Sequence, residues 1–229
     1  MMLRIMLHVA AGLAALVWAG TANAELVLSQ LVVDLGAAQG ARADIEIWNN
    51  SKERAYVAID PSEILNAGAA QEQRVSEVDP ERRGLLVSPN RLILEPGQRR
   101  LIRFAPVGAQ GLRERVYRVT VKPVAGKLEA ESSGLKLLIG YDVLVLLRPV
   151  NVRQRVVASR SGNRLTLRNE GNVSVELIDG RQCTAAKANC VDLPGKRLYA
   201  GAEWIQNLKS AAPVEYNVVS AGRSARQSF

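Results

Sequence analysis

Short runs of alternating polarity, separated by Gly, Pro, Asn and Asp at intervals of about ten residues, constrain this chain more than any other feature, because they leave little room for helices. Asp44-Ile45-Glu46-Ile47 and Arg118-Val119-Thr120-Val121-Lys122 alternate as strands with one buried face do. The pattern predicts strands at Leu26–Val33, Ala43–Trp48, Ala55–Ile64, Leu85–Ser88, Arg91–Leu94, Arg99–Ala105, Arg115–Pro123 and Leu135–Leu147. Asn49-Asn50-Ser51 and Glu95-Pro96-Gly97 supply turns, since Asn tolerates left-handed backbone and Pro-Gly suits the centre of a type II turn. Arg148-Pro149 ends the long strand, because proline cannot donate to a ladder. A second set of strands follows at Arg164–Arg168, Val173–Ile178, Arg197–Tyr199, Trp204–Leu208 and Val214–Val219. Glu170-Gly171-Asn172 and the hairpin signal Asp179-Gly180 are read as turns, and Arg223–Phe229 as a loosely held polar tail. The fold class is all-β, of sandwich or barrel type.

The first residues bear on the compartment. Arg4 gives a positive start, Ile5 to Gly20 is mostly apolar, and Ala22-Asn23-Ala24 has the small residues of a processing site. Residues 1–24 are therefore expected to be a cleaved signal peptide. No later run is long and apolar enough to span a bilayer, since Leu135–Leu147 is broken by Lys136, Gly140 and Asp142. The remainder is expected to be a soluble exported protein of two domains, 25–148 and 149–229.

The chain has 30 Lys and Arg against 22 Asp and Glu. Nucleic acid is not expected as the partner of this basic balance, because an exported chain without an arginine-rich tail or a run of stacking aromatics lacks the usual means of binding it. The two cysteines, Cys183 and Cys190, are expected to form a local disulfide in an oxidising compartment. They make only half a tetrahedral zinc site, and the chain's one histidine, His8, lies in the leader. Without another histidine, a G-x-S-x-G elbow or a glycine-rich phosphate loop, the sequence points away from catalysis, cofactors and metals.

Gly84-Leu85-Leu86-Val87-Ser88-Pro89, then Leu92-Ile93-Leu94, Pro96-Gly97 and Leu101-Ile102-Arg103-Phe104, resemble the middle of the periplasmic pilus chaperones of the chaperone-usher pathway. Glu114–Val119 is similar to the strand that follows in that family, and Leu135–Pro149 to its long edge strand ending in Arg-Pro. Asn169–Val173 and the late cysteine pair resemble its alternate, colonisation-factor branch. The resemblance implies two immunoglobulin-like sandwich domains in tandem, a non-enzymatic function, pilus subunits and an outer-membrane usher as partners, and no cofactor. It also implies donor-strand complementation, in which an edge strand of the chaperone fills the groove left by a strand that the pilin lacks. Leu135, Leu137 and Ile139 would fill that groove. Members of the family commonly hold the pilin's terminal carboxylate with two basic residues, whose places here hold Leu31 and Leu144. Arg118, Arg148 and Arg153 are the candidate substitutes. Arg148 and Glu114 match an ion-pair network between the domains, for which no third, acidic member is evident near the C terminus. The alternative reading is a secreted fimbrial structural subunit or adhesin.

Overall fold

A computed structural model describes residues 26–36, 41–124, 138–183 and 189–229. The expected residues 1–24, Leu135 and Leu137 lie outside them. Ten strands, β1 (Leu26–Leu28), β2 (Val32–Leu35), β3 (Ala43–Asn49), β4 (Ala55–Leu65), β5 (Gln73–Val75), β6 (Leu85–Ser88), β7 (Arg91–Leu94), β8 (Arg99–Pro106), β9 (Arg115–Val124) and β10 (Tyr141–Leu147), make the first sandwich. One sheet has the order β1-β3-β8-β6 and the other β2-β10-β9-β4-β5, with β7 also on β4. Alternate residues of both sheets meet in one core, which includes Ile45, Ile47, Ile102 and Phe104 from one side and Tyr117, Val119, Val121, Val143 and Val145 from the other. That is the period-two pattern of the sequence expressed as burial.

The second sandwich comprises β11 (Val156–Ser161), β12 (Arg164–Asn169), β13 (Val175–Cys183), β14 (Cys190–Leu193), β15 (Lys196–Leu198), β16 (Glu203–Asn207), β17 (Val214–Ser220) and β18 (Arg223–Ser228). Its sheets are β11-β12-β16 and β14-β13-β17-β18, with β15 on β13. The separate core includes Leu165, Leu167, Leu177, Val214 and Tyr216. The all-β, two-sandwich architecture agrees with expectation.

Local chemistry explains several details. The single helical turn, α1 (Pro80–Arg83), has Asp79 as its N-cap, whose carboxylate accepts from the Glu81 N–H, and ends at Gly84 with φ 76°. A Cβ on Gly84 would lie 1.9 Å from the Arg115 guanidinium, so this corner accepts only glycine. Arg115 in turn holds Glu63 through two hydrogen bonds, 2.7 and 2.6 Å, and the Arg83 carbonyl at 2.7 Å. Pro61 sits inside β4 without breaking it. Ile59 N–H points away from β9 to Asn90, so the missing N–H of Pro61, two residues on, falls in the gap between β7 and β5.

Four features depart from the pattern expected of the sequence. Leu26–Val33 is not one strand: β1 pairs with β3 in one sheet and β2 pairs in parallel with β10 in the other, so the chain changes sheets at residues 29–31. Within the described residues, the strand expected at Leu135–Leu147 begins at Tyr141. Asp179-Gly180 is not a turn. It forms a register shift within β13, where Asp179 takes φ 51° and the missing Cβ of Gly180 leaves room for the Tyr216 ring, which a Cβ would meet at 2.3 Å. Finally, Arg223–Ser228 is a strand along β17, and Phe229 packs on the second core.

Candidate functional site

The sheet change at residues 29–31 shapes the site. β9 covers one edge of β10 from Tyr141 to Leu147, but β2 covers the other only from Leu144 onward. The last bond on that side runs from Leu144 N–H to the Leu31 carbonyl, 2.9 Å. Before it, among the described residues, β10 has no strand on that edge. Backbone groups two residues apart point the same way, so the N–H and C=O of Asp142 face this open track.

Tyr141 ends the first sandwich's own interior, its ring packing on the core and its hydroxyl donating to the Leu26 carbonyl at 2.6 Å. Ile139, two residues earlier, is 63% exposed and belongs to no strand. Val143, Val145 and Leu147 face the core. Leu144 and Leu146 point the other way and pack with Ile64 and Val116 against Ala67 and Tyr199. Tyr199 belongs to the turn between β15 and β16, so this apolar patch floors a cleft between the sandwiches.

Arg118 stands in that cleft. It pairs across the ladder with Leu144 and shares its face, and its guanidinium donates at 3.3 Å to the Asp142 carbonyl, on the open edge of β10. The Asp142 carboxylate is already held by Arg74 at 2.8 and 3.2 Å and lies 3.9 Å from Arg118. Arg118 thus keeps most of its five donors uncommitted.

At the root of the cleft, Arg148 is buried with three partners. Asp34 of β2 accepts two hydrogen bonds from it, 2.9 and 2.7 Å, Glu114 accepts another, and the Ser174 carbonyl and hydroxyl oxygens lie at 3.4 Å. Glu114 also accepts from Ser174 N–H at 3.1 Å, which ties the end of the first sandwich to the start of β13. Burial pushes the Glu114 carboxyl above its ordinary value, against the opposing pull of Arg148 and Ser174. Burial also disfavours the Arg148 charge, but Asp34 and Glu114 outweigh it and hold the guanidinium protonated. The third, acidic member of the network therefore exists, and it comes from β2 rather than the C terminus. Asp34 sits at an outward position of an apolar strand, which was the available signal, but only the parallel register with β10 brings it to Arg148.

Arg153 is exposed on the linker and is absent from the cleft lining around Ile64, Val116 and Tyr199. Cys183 and Cys190 are disulfide-bonded and close the end of the β13–β14 hairpin, as expected. Among the described residues, no cluster of three metal-ligating side chains occurs, and no helix is long and apolar enough to cross a membrane.

No family model matches the chain. It is 26% identical over 203 residues to a CS1 fimbrial subunit of Escherichia coli, covering 82% of this chain and 85% of that one. It is 27% identical over 180 residues to a CFA/I fimbrial subunit of the same species, covering 74% of each. Among solved structures, the class 5 fimbriae chaperone CfaA superimposes with a TM-score of 0.68 at 23% identity, over 89% of this chain and 98% of that one. The fold is that of the fimbrial chaperones. A chain from the Salmonella enterica complex of SafA pilin with the SafB chaperone gives a TM-score of 0.64 at 19% identity, over 92% of this chain and 98% of that one. The E. coli chaperone DraB gives 0.60 at 16% identity, over 89% and 94%. On this fimbrial-chaperone fold, the open edge of β10 and the cleft beneath it carry unused binding capacity.

Proposed function

We propose that this chain is a periplasmic chaperone that binds pilus subunits by lending them a strand and delivers them to an outer-membrane usher, with residues 1–24 as its export signal and 25–148 and 149–229 as its domains. The observation that carries the reading is the open edge of β10 before Leu144, on a fold shared with fimbrial chaperones. A pilin lacking one strand has an apolar groove and unpaired backbone groups, both costly in water. An edge strand repairs the backbone, and Leu135, Leu137 and Ile139 fill the groove. Tyr141 closes the chaperone's own core, and Ile139, two residues before it, is exposed and available to a guest's core.

The direction of β2 supports a role for Arg118. A guest strand on the open track, running parallel to β10 as β2 does, would bring its C-terminal end to the start of β2, beside the Asp142 carbonyl that Arg118 already reaches. Arg118 then holds the guest's terminal carboxylate, a charge-assisted pairing suited to a guanidinium. Arg148 is committed to Asp34 and Glu114 and serves the hinge instead.

The alternative, a structural component of the fimbria, draws on the two sequence relatives, both of which are named as fimbrial subunits. The open edge favours the chaperone, because a lent strand needs a free backbone. Co-expression with a pilin from the neighbouring genes decides between them. A soluble one-to-one complex without nucleotide, lost in Arg118→Ala, supports the proposal. Fibres built from this chain itself would overturn it.

A further inference from the structure

The chain has a second concave surface along the linker, which meets the cleft at Arg113. Two adjoining hollows share Val150, Asn151 and Arg153. One is completed by the loop at Gln110–Arg113 and the other by Ala221 and Arg223. Arg113, Arg153 and Arg223 line this surface, no acidic residue does, and none of the three forms an ion pair with a described carboxylate. Leu112 and Val150 stand 87% and 70% exposed beside them. Such a groove combines uncompensated positive charge with apolar surface.

Its backbone is open as well. Arg155 carbonyl accepts from Glu170 N–H at 2.7 Å, and Arg153 carbonyl from Asn172 N–H at 3.0 Å. These pairs continue the register in which Val156 faces Asn169, so the linker prolongs β11 toward the hinge. β11 is an edge strand of its sheet. By the alternation of an extended chain, the N–H and C=O of Val152 and Gln154 point away from Asn172 and Glu170, and they have no hydrogen-bond partner among the described residues.

We propose that this groove binds an extended acidic segment of a partner protein, added as a strand beside Val152–Gln154, with its carboxylates on Arg113, Arg153 and Arg223. An anionic lipid surface would use the charge but leave the backbone groups unpaired, so the open edge favours a peptide. Arg153 and Arg223 lie outside the cleft lining, so substituting them separates this site from guest capture.

The test uses the full periplasmic protein and a fluorescein-labelled peptide of alternating Glu and Val. Saturable binding is expected, weakened at least tenfold in Arg153→Glu and in Arg223→Glu. A peptide with the same side chains but N-methylated backbone should also bind at least tenfold more weakly, because it cannot add as a strand. Arg223→Glu should leave pilin capture unchanged. Equal binding of the N-methylated peptide would reduce the site to electrostatics and overturn the proposal, as would absence of peptide binding. Preferential binding to phosphatidylglycerol vesicles, or self-association of the protein abolished by Arg153→Glu, would assign the groove to a membrane or a second copy and likewise overturn it.

Discussion

Arg148 and Glu114 show how strongly one buried pair depends on both members. Their side chains are 5% and 1% exposed, whereas Asp34 is 44% exposed and can return to water. Arg148→Met is expected to leave Glu114 buried without a counter-charge and to destabilise the protein by about 3–5 kcal/mol, read from urea unfolding. Glu114 also sets a pH dependence. Burial raises its carboxyl above 4.5, so the native state binds this proton at a higher pH than the unfolded chain does. This group's contribution to stability is therefore largest below 4.5 and declines as pH rises through the raised value. Carbon-detected NMR of the Glu114 carboxyl should give a midpoint above 4.5. Asp44 behaves oppositely. Its hydrogen bond to Arg103 holds it below 3.8, so its contribution is present above 3.8 and lost as pH falls through the lowered value. A Glu114 midpoint at or below 4.5 would mean that the ion pair outweighs burial.

Among the elements, the segment before β10 separates folding from binding. Ile139 lies beyond Tyr141, outside the first core, so Ile139→Glu should shift stability by no more than about 0.5 kcal/mol while abolishing pilin capture. Leu137→Glu should behave in the same way. A melt of each purified variant beside a pull-down of the co-expressed pilin checks both, and a variant that unfolds would return its residue to the core. The β13–β14 hairpin carries the other prediction. Cys183 and Cys190 are seven residues apart, so removing their bond should cost roughly 2–3 kcal/mol by the loop-entropy estimate. The loss should be confined to the second sandwich, where Trp204 reports it by fluorescence. The elements differ in how far the sequence announces them. β3, β8 and β12, and β9 from Arg118 to Lys122, are legible because they alternate between buried and more exposed positions. β18 was not, because all six of its residues are exposed and only the available edge of β17 makes them a strand. The sheet change between β1 and β2 was hidden because both halves are apolar, and tertiary pairing alone divides them. Ile139, Arg118, Arg148 and Glu114 could be singled out from the chain. Ser174 and Tyr199 could not, and Asp34 offered only its outward place on an apolar strand, since sequence-distant packing and register, not local pattern, bring them to the cleft.

At the scale of the whole molecule, two separate cores are joined by the Arg148 network, by Tyr199 against Ala67, and by Asn172, whose carbonyl accepts from Glu114 N–H at 2.9 Å and whose amide donates to the Leu112 carbonyl at 2.8 Å. Arg148→Met should therefore loosen the angle between the sandwiches as well as lower stability, seen as a broader distance distribution by X-ray scattering in solution. The sheet change at residues 29–31 carries a different consequence. On the proposed function, β2 occupies the track that a guest strand would use, so its first residue would act as a physical stop and the uncovered length of β10 as a ruler for how far a guest's last strand extends. A pilin lengthened by two residues at its C terminus would have to buckle or withdraw its carboxylate from Arg118, and should be captured poorly although its groove is unchanged. Shifting the crossover by two residues in this chain should move the mark and restore the fit.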